Sequence, residues 1–233
     1  MNSKPLLDAI RHFDTCLLAN AIERLNVRPR NEGFVSGEVT CRFPHLPPVT
    51  GHAVTARVRT YMPPVTGRCY YDHIEWWRYV TTIPPPRFIV VQDIDSRPAF
   101  GAIFGEIHAN ICRALDGVAL LSNGAVRDLD PVEALGYQMF SGRVSVSHSY
   151  AHIVDFGQPV EIGGIRILPG DVLHGDRHGV IQIPHELLPS LPAMVEKVQS
   201  EEAEILQMTN QRPFSVEALA KKIEKFAESH ICK

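Results

Sequence analysis

The pattern of apolar and polar positions predicts an α/β protein. Between residues 51 and 62 the side chains alternate in character, which is typical of a strand. Three further apolar runs, at residues 88–94, 117–122 and 137–140, are short enough to be buried strands. Between the first two runs a helix is predicted, because the apolar residues there recur at helical spacing: Ile103, Ile107, Ile111 and Leu115. Strands alternating with helices of this length predict parallel neighbours joined by right-handed crossovers.

Both ends of the chain are predicted to be helical. The N-terminal helix breaks near Asp14 and Thr15, either of which can cap a second helix over residues 16–25. The aromatic segment 70–80 also favours a helix. At the other end, helical patterns run from Leu187 to Met208 and from Ser215 to Glu228.

Strand-like segments at residues 142–154, 159–167 and 171–184 are separated by Gly and Pro turns, which predicts antiparallel or mixed pairing. We therefore expect a single domain of mixed parallel and antiparallel β-sheets flanked by helices. Its α/β core, including the N-terminal helices, would span residues 1–186. Residues 187–233 would form a C-terminal helical extension of the same domain that contributes oligomer contacts.

Composition narrows the class of partner. Net charge is -3, and basic and acidic residues are mixed along the chain, so neither nucleic acid nor a membrane surface is expected as a partner. The 5 cysteines are odd in number and form no CxxC pair, which argues against a disulfide framework and a cysteine zinc site. With no long apolar stretch, these features favour a cytoplasmic protein.

Polar residues follow two consecutive predicted strands. Ligands of α/β sheets bind beyond the carboxyl ends of parallel strands, where loops enter helices. Residues 93–110 and 122–130 form two such junctions, and neighbouring strands lie about 4.8 Å apart. We therefore expect Glu106 to converge with Arg127 and Asp128 over one pocket.

The first junction has the features of an anion site. Gly101 and Gly105 allow the backbone to approach a ligand, and the helix that follows begins with amides that have no internal acceptor. Such a helix N-terminus suits a small carboxylate. The alternative is that the glycines only permit a tight turn while Glu106 complements the helix dipole.

The second junction offers a cation and an anion. Asp128 is a hard oxygen ligand of the kind that holds Mg2+ or Mn2+. Arg127 presents a planar fork of donors that suits a carboxylate or an enolate oxygen. The alternative is that Asp128 starts a turn and Arg127 makes an exposed ion pair worth about 0 to 1 kcal/mol.

Two segments of the chain carry a family resemblance. They read FGEIHANICRALDGVALLSNGAVRDLDPVEALGYQMF and PVEIGGIRILPGDVLHGDRHGVIQIP. They resemble the RraA-like family, which includes the class II pyruvate aldolases acting on 4-hydroxy-4-methyl-2-oxoglutarate and 4-carboxy-4-hydroxy-2-oxoadipate. The family's aldolase signature is Gly-Asp, twenty residues, then Arg-Asp. In this chain the signature begins with Gly105 and Glu106, continues through the twenty residues 107–126, and ends with Arg127 and Asp128. The resemblance covers roughly residues 15 to 208.

The resemblance implies a swivelling ββα type of fold and a role for each matching residue. Asp128 would be the protein ligand of Mg2+ or Mn2+, and Arg127 would bind the substrate and stabilise the enolate. Glu106 replaces the aldolases' aspartate, which orients a water on the metal. The amides that bind the pyruvyl carboxylate would come from Gly105, Glu106, Ile107 and His108.

A further acid lies on the predicted C-terminal helix. Glu202 shares an apolar stripe with Val195, Val198, Ile205 and Met208, and an acid on such a face needs a partner. The aldolases of the family bring a glutamate from the neighbouring subunit to the metal's waters, and Glu202 is the candidate. The resemblance also implies a homotrimer or homohexamer with the site between subunits. The alternative is that the stripe ends before Glu202.

The histidines do not favour zinc. His148 and His152 fall in a predicted strand, whereas His174, Asp176 and His178 fall in a glycine-flanked turn that matches a structural segment of the family. A serine triad, a phosphate-binding loop and a dinucleotide fingerprint are also unsupported.

The expected function is a divalent-metal-dependent lyase that cleaves a C-C bond of a 4-hydroxy-2-oxo acid to give pyruvate. Oxaloacetate decarboxylation would pass through the same pyruvate enolate. Two alternatives stay open. One is a lyase or hydrolase acting on another oxo or hydroxy acid at the same metal site, and the other is a non-enzymatic regulator that binds a ribonuclease.

Overall fold

The computed structural model describes residues 4–65 and 74–228. Its α-helices are α1 (Lys4–Ile10), α2 (Thr15–Leu25), α3 (Ile74–Thr82), α4 (Glu106–Ala114), α5 (Leu129–Ala134), α6 (Leu191–Thr209) and α7 (Val216–Glu228). Its strands are β1 (Thr40–Cys41), β2 (Val49–Arg59), β3 (Arg87–Asp93), β4 (Ala102–Phe104), β5 (Gly117–Val126), β6 (Gln138–Val144), β7 (His152–Phe156), β8 (Val160–Ile162), β9 (Ile165–Ile167), β10 (Val172–Asp176) and β11 (Gly179–Ile183).

One mixed sheet forms the centre of the domain, in the strand order β1-β6-β5-β3-β2-β10-β11, with β4 also paired to β5 and β7 to β2. The neighbours β2 and β3, β3 and β5, and β5 and β6 run parallel. Strands β1, β7, β10 and β11 pair antiparallel, and β8 and β9 form a separate antiparallel pair. The predicted mixed α/β domain is confirmed, with parallel strands at its centre.

The central sheet is covered on both faces. Along β2 the adjacent Ala53 and Val54 are both fully buried, although they point to opposite faces. Val54 belongs to a core that includes Trp76 of α3 and Ala109 of α4. Ala53 belongs to a second core, against the β8–β9 pair. A third core joins α1, α2 and α6 to β10 and β11.

Helix α6 packs mainly on α2. Val195 and Val198 are buried in this contact, which explains the first half of the apolar stripe read from the sequence. The N-terminal break is also confirmed, because Asp14 caps α2 by accepting a hydrogen bond from the Leu17 amide over 2.9 Å. The division between residues 1–186 and 187–233 stays a prediction.

Arg87 fixes the ends of two helices against the sheet. Its buried guanidinium donates to the carbonyl oxygens of Ile83 and Leu115 over 2.7 and 2.6 Å. These carbonyls follow α3 and α4, so one cation satisfies backbone groups that have no partner inside a helix. The opposite end of α4 is thereby set at the carboxyl edge of the sheet.

Two predicted boundaries are wrong. Ile103 was expected in a helix but lies in β4, which pairs with the end of β5. Strand β5 was expected to end at residue 122 but continues to Val126. The side chain of Asn123 supports this extension, since it accepts from the Asp93 amide over 2.7 Å and donates to the Asp93 carbonyl over 2.8 Å. An asparagine thus takes the place of a backbone partner beside β3.

The predicted N-cap of α5 is also wrong. Asp130 was expected to begin this helix, with Pro131 in its first turn, but the N-cap position belongs to Asp128. Asp128 has φ 54° and ψ 50°, in the left-handed region that aspartate tolerates better than most residues. The bend points its carboxylate back toward the start of α4.

Other predictions are met in part. The aromatic helix is present as Ile74–Thr82, while residues 70–73, Cys69 and Cys232 lie outside the described chain. The described cysteines are free, as expected. Of the histidine pair expected in a strand, His152 begins β7 but His148 precedes it. Among described residues, none of the helices combines the length and apolar character needed to cross a membrane.

Candidate functional site

The candidate site lies where β4 and β5 end side by side. These strands run parallel and pair Phe104 with Val126. The Arg127 amide continues the pairing by donating to the Phe104 carbonyl over 2.9 Å. Gly105 and Glu106 therefore leave the sheet next to Arg127 and Asp128, which are the four residues of the signature.

The carboxylate of Asp128 ties the two loops together. Its Oδ2 accepts from the Glu106 amide over 3.1 Å, and its Oδ1 accepts from Nε of Arg127 over 3.0 Å. The side chains of Arg127 and Asp128 are 34% and 31% exposed, so both remain accessible to a ligand. The structure brings Glu106, Arg127 and Asp128 together, and Arg127 can still offer its terminal nitrogens.

Gly105 makes this contact possible. A Cβ at this position would lie 2.5 Å from Oδ2 of Asp128 and 2.9 Å from Cγ of Arg127. Gly105 has φ -156°, an extended conformation that any residue adopts. The lack of a side chain, rather than an unusual backbone, is therefore what the site requires.

Helix α4 starts directly at this point. Its first-turn amides have no acceptor within the helix, and its N-terminus carries partial positive charge. The Glu106 amide is used by Asp128, and the side chain of Ile107 is 56% exposed, so the helix end opens to solvent. The ring of His108 turns inward, 5.7 Å from the Phe104 ring and 6.1 Å from Trp77. His108 would contribute its backbone to the site rather than its imidazole.

Hydrogen bonds keep Asp128 ionised. Partial burial raises the pKa of this carboxyl, but the bonds from the Glu106 amide and the Arg127 guanidinium outweigh it, so the pKa is below its ordinary value. The site therefore presents a permanent anion beside a permanent cation at neutral pH.

These residues fit a divalent ion of the Mg2+ type. Such ions are held through one or two carboxylates and keep several waters, which needs an accessible oxygen ligand and open space. Asp128 supplies the carboxylate, and the partial exposure of its side chain leaves room for waters on the ion. Asp128 would hold the ion, and Glu106, whose amide bonds Asp128, has an exposed side chain.

An apolar cavity of about 70 Å3 lies beneath α4. Trp77, Phe104, His108 and Cys112 contribute to its lining. The sequence does not predict this cavity, because its walls come from separate elements. The aromatic residues of α3 were its only visible signal.

Glu202 is not brought to this site within one chain. Its Oε1 accepts from Nδ2 of Asn20 over 2.9 Å, and α6 contacts α1, α2 and α7. The partner that an acid on this helix face requires is thus Asn20. Any role for Glu202 in the site needs a neighbouring chain.

The parallel-centred sheet and the site at the ends of β4 and β5 define an α/β protein with a carboxylate and arginine pair at the N-terminus of a helix. The family model for RraA-like proteins, described as Aldolase/RraA, matches residues 15–182. The chain therefore belongs to the RraA-like family.

Known relatives are distant. An uncharacterized protein of Methanocaldococcus jannaschii is 24% identical over 153 residues, which is 60% of this chain and 68% of that protein. A Halalkalibacterium halodurans protein named "Putative 4-hydroxy-4-methyl-2-oxoglutarate aldolase" is 31% identical over 84 residues, 36% of this chain and 40% of that protein. The chain thus spans less than half the length of this aldolase-named relative.

The fold has counterparts among solved structures. Streptomyces coelicolor RraAS2, described as an unusual member of the RNase ES inhibitor RraA protein family, superimposes with a TM-score of 0.66 at 19% identity. The match covers 87% of this chain and 95% of that one. At this identity the similarity shows the fold alone.

Proposed function

We propose that this protein is a divalent-metal-dependent lyase that cleaves a C-C bond of a 4-hydroxy-2-oxo acid to give pyruvate. Oxaloacetate decarboxylation is its second reaction. One observation carries the proposal: Asp128 lies within hydrogen-bond distance of both Arg127 and the start of α4, in a space that only glycine at position 105 leaves open. The family and its aldolase-named relative support the same reaction class.

Substrate binding follows from the helix end. The carboxylate of a 2-oxo acid would accept hydrogen bonds from first-turn amides of α4, including that of Ile107, because these groups have no acceptor inside the helix. Arg127 would donate from its terminal nitrogens to the neighbouring 2-oxo oxygen. The two contacts would orient the C3-C4 bond toward Asp128 and Glu106.

Asp128 would hold Mg2+ or Mn2+, and this ion would supply Lewis-acid polarisation of the 2-oxo group. The protein's own part is to stabilise the charge that develops as the bond breaks. When C3 and C4 separate, the bonding electrons form the enolate of pyruvate, and Arg127 would donate to its oxygen. Preorganised donors of this kind contribute about 10²- to 10³-fold to rate.

Glu106 would move the protons. In the aldol cleavage, a base removes the proton of the C4 hydroxyl as C4 becomes a carbonyl, and a proton then returns to C3 of the enolate to give pyruvate. Glu106 begins α4 with an exposed side chain, and its amide bonds Asp128, so its carboxylate would perform these transfers directly or through water. In the decarboxylation, CO2 leaves and only the second transfer is needed.

Glu202 would complete the site from a neighbouring subunit of a homotrimer or homohexamer. Its position on α6, away from Asp128 of its own chain, supports this assignment. Glu202→Gln removes the carboxylate charge, so kcat should fall. The variant keeps an oxygen acceptor for Asn20, so the protein should stay folded. Unchanged kcat in this variant would remove Glu202 from the reaction.

The deciding experiment measures pyruvate release from oxaloacetate and from 4-hydroxy-4-methyl-2-oxoglutarate, with Mg2+, with Mn2+ and with EDTA. Release should require metal, and Asp128→Asn should abolish it. Asp8→Asn, at an exposed carboxylate on α1, is the matched control and should retain full activity.

Two outcomes would oppose the proposal. Turnover that survives EDTA or Asp128→Asn would contradict the role of the metal. Folded protein that releases no pyruvate from either substrate with any metal would favour another oxo or hydroxy acid, or the ribonuclease-binding alternative.

A further inference from the structure

A second group of potential metal ligands lies where the start of α2 meets the turn between β10 and β11. Asp14, Cys16 and His178 each offer a ligand atom here, and these atoms all lie within 4.8 Å of one another. All three side chains are exposed, so an ion can reach them. The group combines oxygen, sulfur and nitrogen donors, whereas the candidate site at Asp128 offers oxygen alone.

A buried carboxylate holds the two halves of this group together. Asp176 is 4% exposed, and its Oδ2 accepts from the Thr15 amide over 2.9 Å. Its Oδ1 accepts from the His178 amide over 2.8 Å. Asp14 and Cys16 flank Thr15 in sequence, so Asp176 fixes their backbone relative to that of His178.

Asp176 also orients the imidazole of His178. Nδ1 of His178 lies 3.2 Å from Oδ1 of Asp176, so the ring proton belongs on Nδ1, where it can be donated to the carboxylate. The lone pair of the neutral ring is then on Nε2. Histidines that bind metal almost always donate their other ring N-H to a carboxylate, a carbonyl or a water in this way.

The other two side chains also retain ligand atoms. Asp14 caps α2 through Oδ1, which leaves Oδ2 for an ion. The Cys16 thiol is free and exposed, and it would bind the ion as the thiolate.

We propose that Asp14, Cys16 and His178 bind a zinc ion. Zinc takes carboxylate, thiolate and imidazole ligands together, and three protein ligands leave a fourth tetrahedral position for water. Tetrahedral coordination places the donors roughly 3.4–3.8 Å apart, so ligand atoms that lie within 4.8 Å of one another need to approach by at most about 1.4 Å. The ion would fasten α2 to the β10–β11 turn.

Zinc was not predicted from the sequence, because His178 was considered together with residues that are near it in the chain. His174 was paired with His178, yet His174 is buried and bonds Thr50 Oγ1 through Nδ1 over 2.8 Å. The partners of His178 lie at positions 14 and 16, more than 160 residues away along the chain. Only the fold places them beside the turn.

Cobalt substitution provides a direct test that does not depend on turnover. Chelator-treated full-length protein is titrated with Co2+, and the thiolate-to-cobalt charge-transfer absorption is recorded. We expect one equivalent to develop this absorption and Zn2+ to displace it. Asp128→Asn is titrated in parallel and should give the same spectrum, which separates this site from the proposed Mg2+ site.

The variants test each ligand. Cys16→Ser should lose the charge-transfer absorption, while Cys41→Ser, at the half-buried thiol of β1, should keep it. His178→Ala and Asp14→Asn should weaken Zn2+ binding at least about tenfold by calorimetry, and Asp14→Asn retains an oxygen for the helix cap. Circular dichroism confirms the fold of each variant.

The proposal is overturned if the wild-type protein gives no charge-transfer absorption with Co2+. It is equally overturned if folded Cys16→Ser or folded His178→Ala binds as the wild type does. Should Cys16→Ser not fold, the wild-type spectrum and His178→Ala decide the question.

Discussion

A Cβ on Gly105 would lie 2.5 Å from Oδ2 of Asp128. Asp128 has little freedom to move away, because its Oδ2 accepts a hydrogen bond from the Glu106 amide of the neighbouring loop and its Oδ1 accepts one from Nε of Arg127. The absent side chain of Gly105 and the position of the Asp128 carboxylate are therefore coupled. This relationship gives the signature glycine a physical reason that backbone conformation does not.

Gly105→Ala should displace the Asp128 carboxylate and lower kcat/KM for pyruvate release at least about tenfold, as expected for a misplaced catalytic geometry. Overpacking of this kind also costs roughly 1–3 kcal/mol of stability. Steady-state kinetics and urea unfolding measure the two effects. Gly37→Ala is the control, since a Cβ there meets nothing within 4 Å. Wild-type kinetics in Gly105→Ala would show that the contact does not shape the site.

Substitutions of Asp128 should separate its charge from its backbone conformation. Asparagine accepts the left-handed region nearly as readily as aspartate, whereas alanine is disfavoured there by about 1–2 kcal/mol. We expect both Asp128→Asn and Asp128→Ala to abolish metal-dependent turnover. Urea unfolding should show that only Asp128→Ala loses about 1 kcal/mol or more of stability. Equal stability of the two variants would mean that the bend at residue 128 relaxes without cost.

Arg127→Gln should change the pH dependence of metal binding. The bonds from Glu106 and Arg127 keep the pKa of Asp128 below its ordinary value of 3.8, against the effect of burial. In the wild type, Mn2+ binding should therefore hold as pH falls and weaken only below that value. Without the guanidinium the pKa rises, so the acid limb moves to higher pH.

Mn2+ affinity is measured between neutral pH and the onset of acid unfolding. Arg166→Gln, at an exposed position on β9, controls for the loss of one positive charge. Superimposable acid limbs for Arg127→Gln and the wild type would show that Arg127 does not set the ionisation of Asp128.

The sequence was sufficient for the parallel centre of the sheet and for the grouping of Glu106, Arg127 and Asp128. Apolar runs and helical spacing define such elements locally, and parallel strands must end at one edge. The end of β5 was missed because Asn123 supports the strand through its side chain, and periodicity does not register such a contact. Strand β4 is too short for its pattern to be distinguished from a helical turn.

Contacts between residues that are far apart in the sequence could not be predicted from it. From the sequence, Asp14 and Cys16 indicate only the start of a helix. Their approach to His178 depends on the buried Asp176. The bond between Glu202 and Asn20 depends on the packing of α6 against α2. Periodicity places a residue on a helix face but does not identify what that face meets.

His174 should make stability depend on pH. Burial lowers the pKa of this histidine from 6.5 to about 4, against the effect of Asp176, and the neutral ring bonds Thr50. Between these values the unfolded chain binds the proton more readily than the folded chain, so the free energy of unfolding falls as pH decreases from 6.5 to 4. The loss amounts to roughly 3 kcal/mol at about 1.4 kcal/mol per pKa unit.

Urea unfolding at several pH values measures this slope, and His174→Asn should flatten it while retaining a polar group for Thr50. His12→Asn, at an exposed ring, should leave the slope unchanged. His52 is also buried with a lowered pKa, and it remains in both variants, so it adds a common background and not a difference. Equal slopes for His174→Asn and the wild type would mean that His174 accepts a proton in the folded protein as easily as in the unfolded chain. In that case the imidazole must gain water or a closer contact with Asp176 on protonation, because a charged ring that stays buried without such a partner would be strongly destabilising.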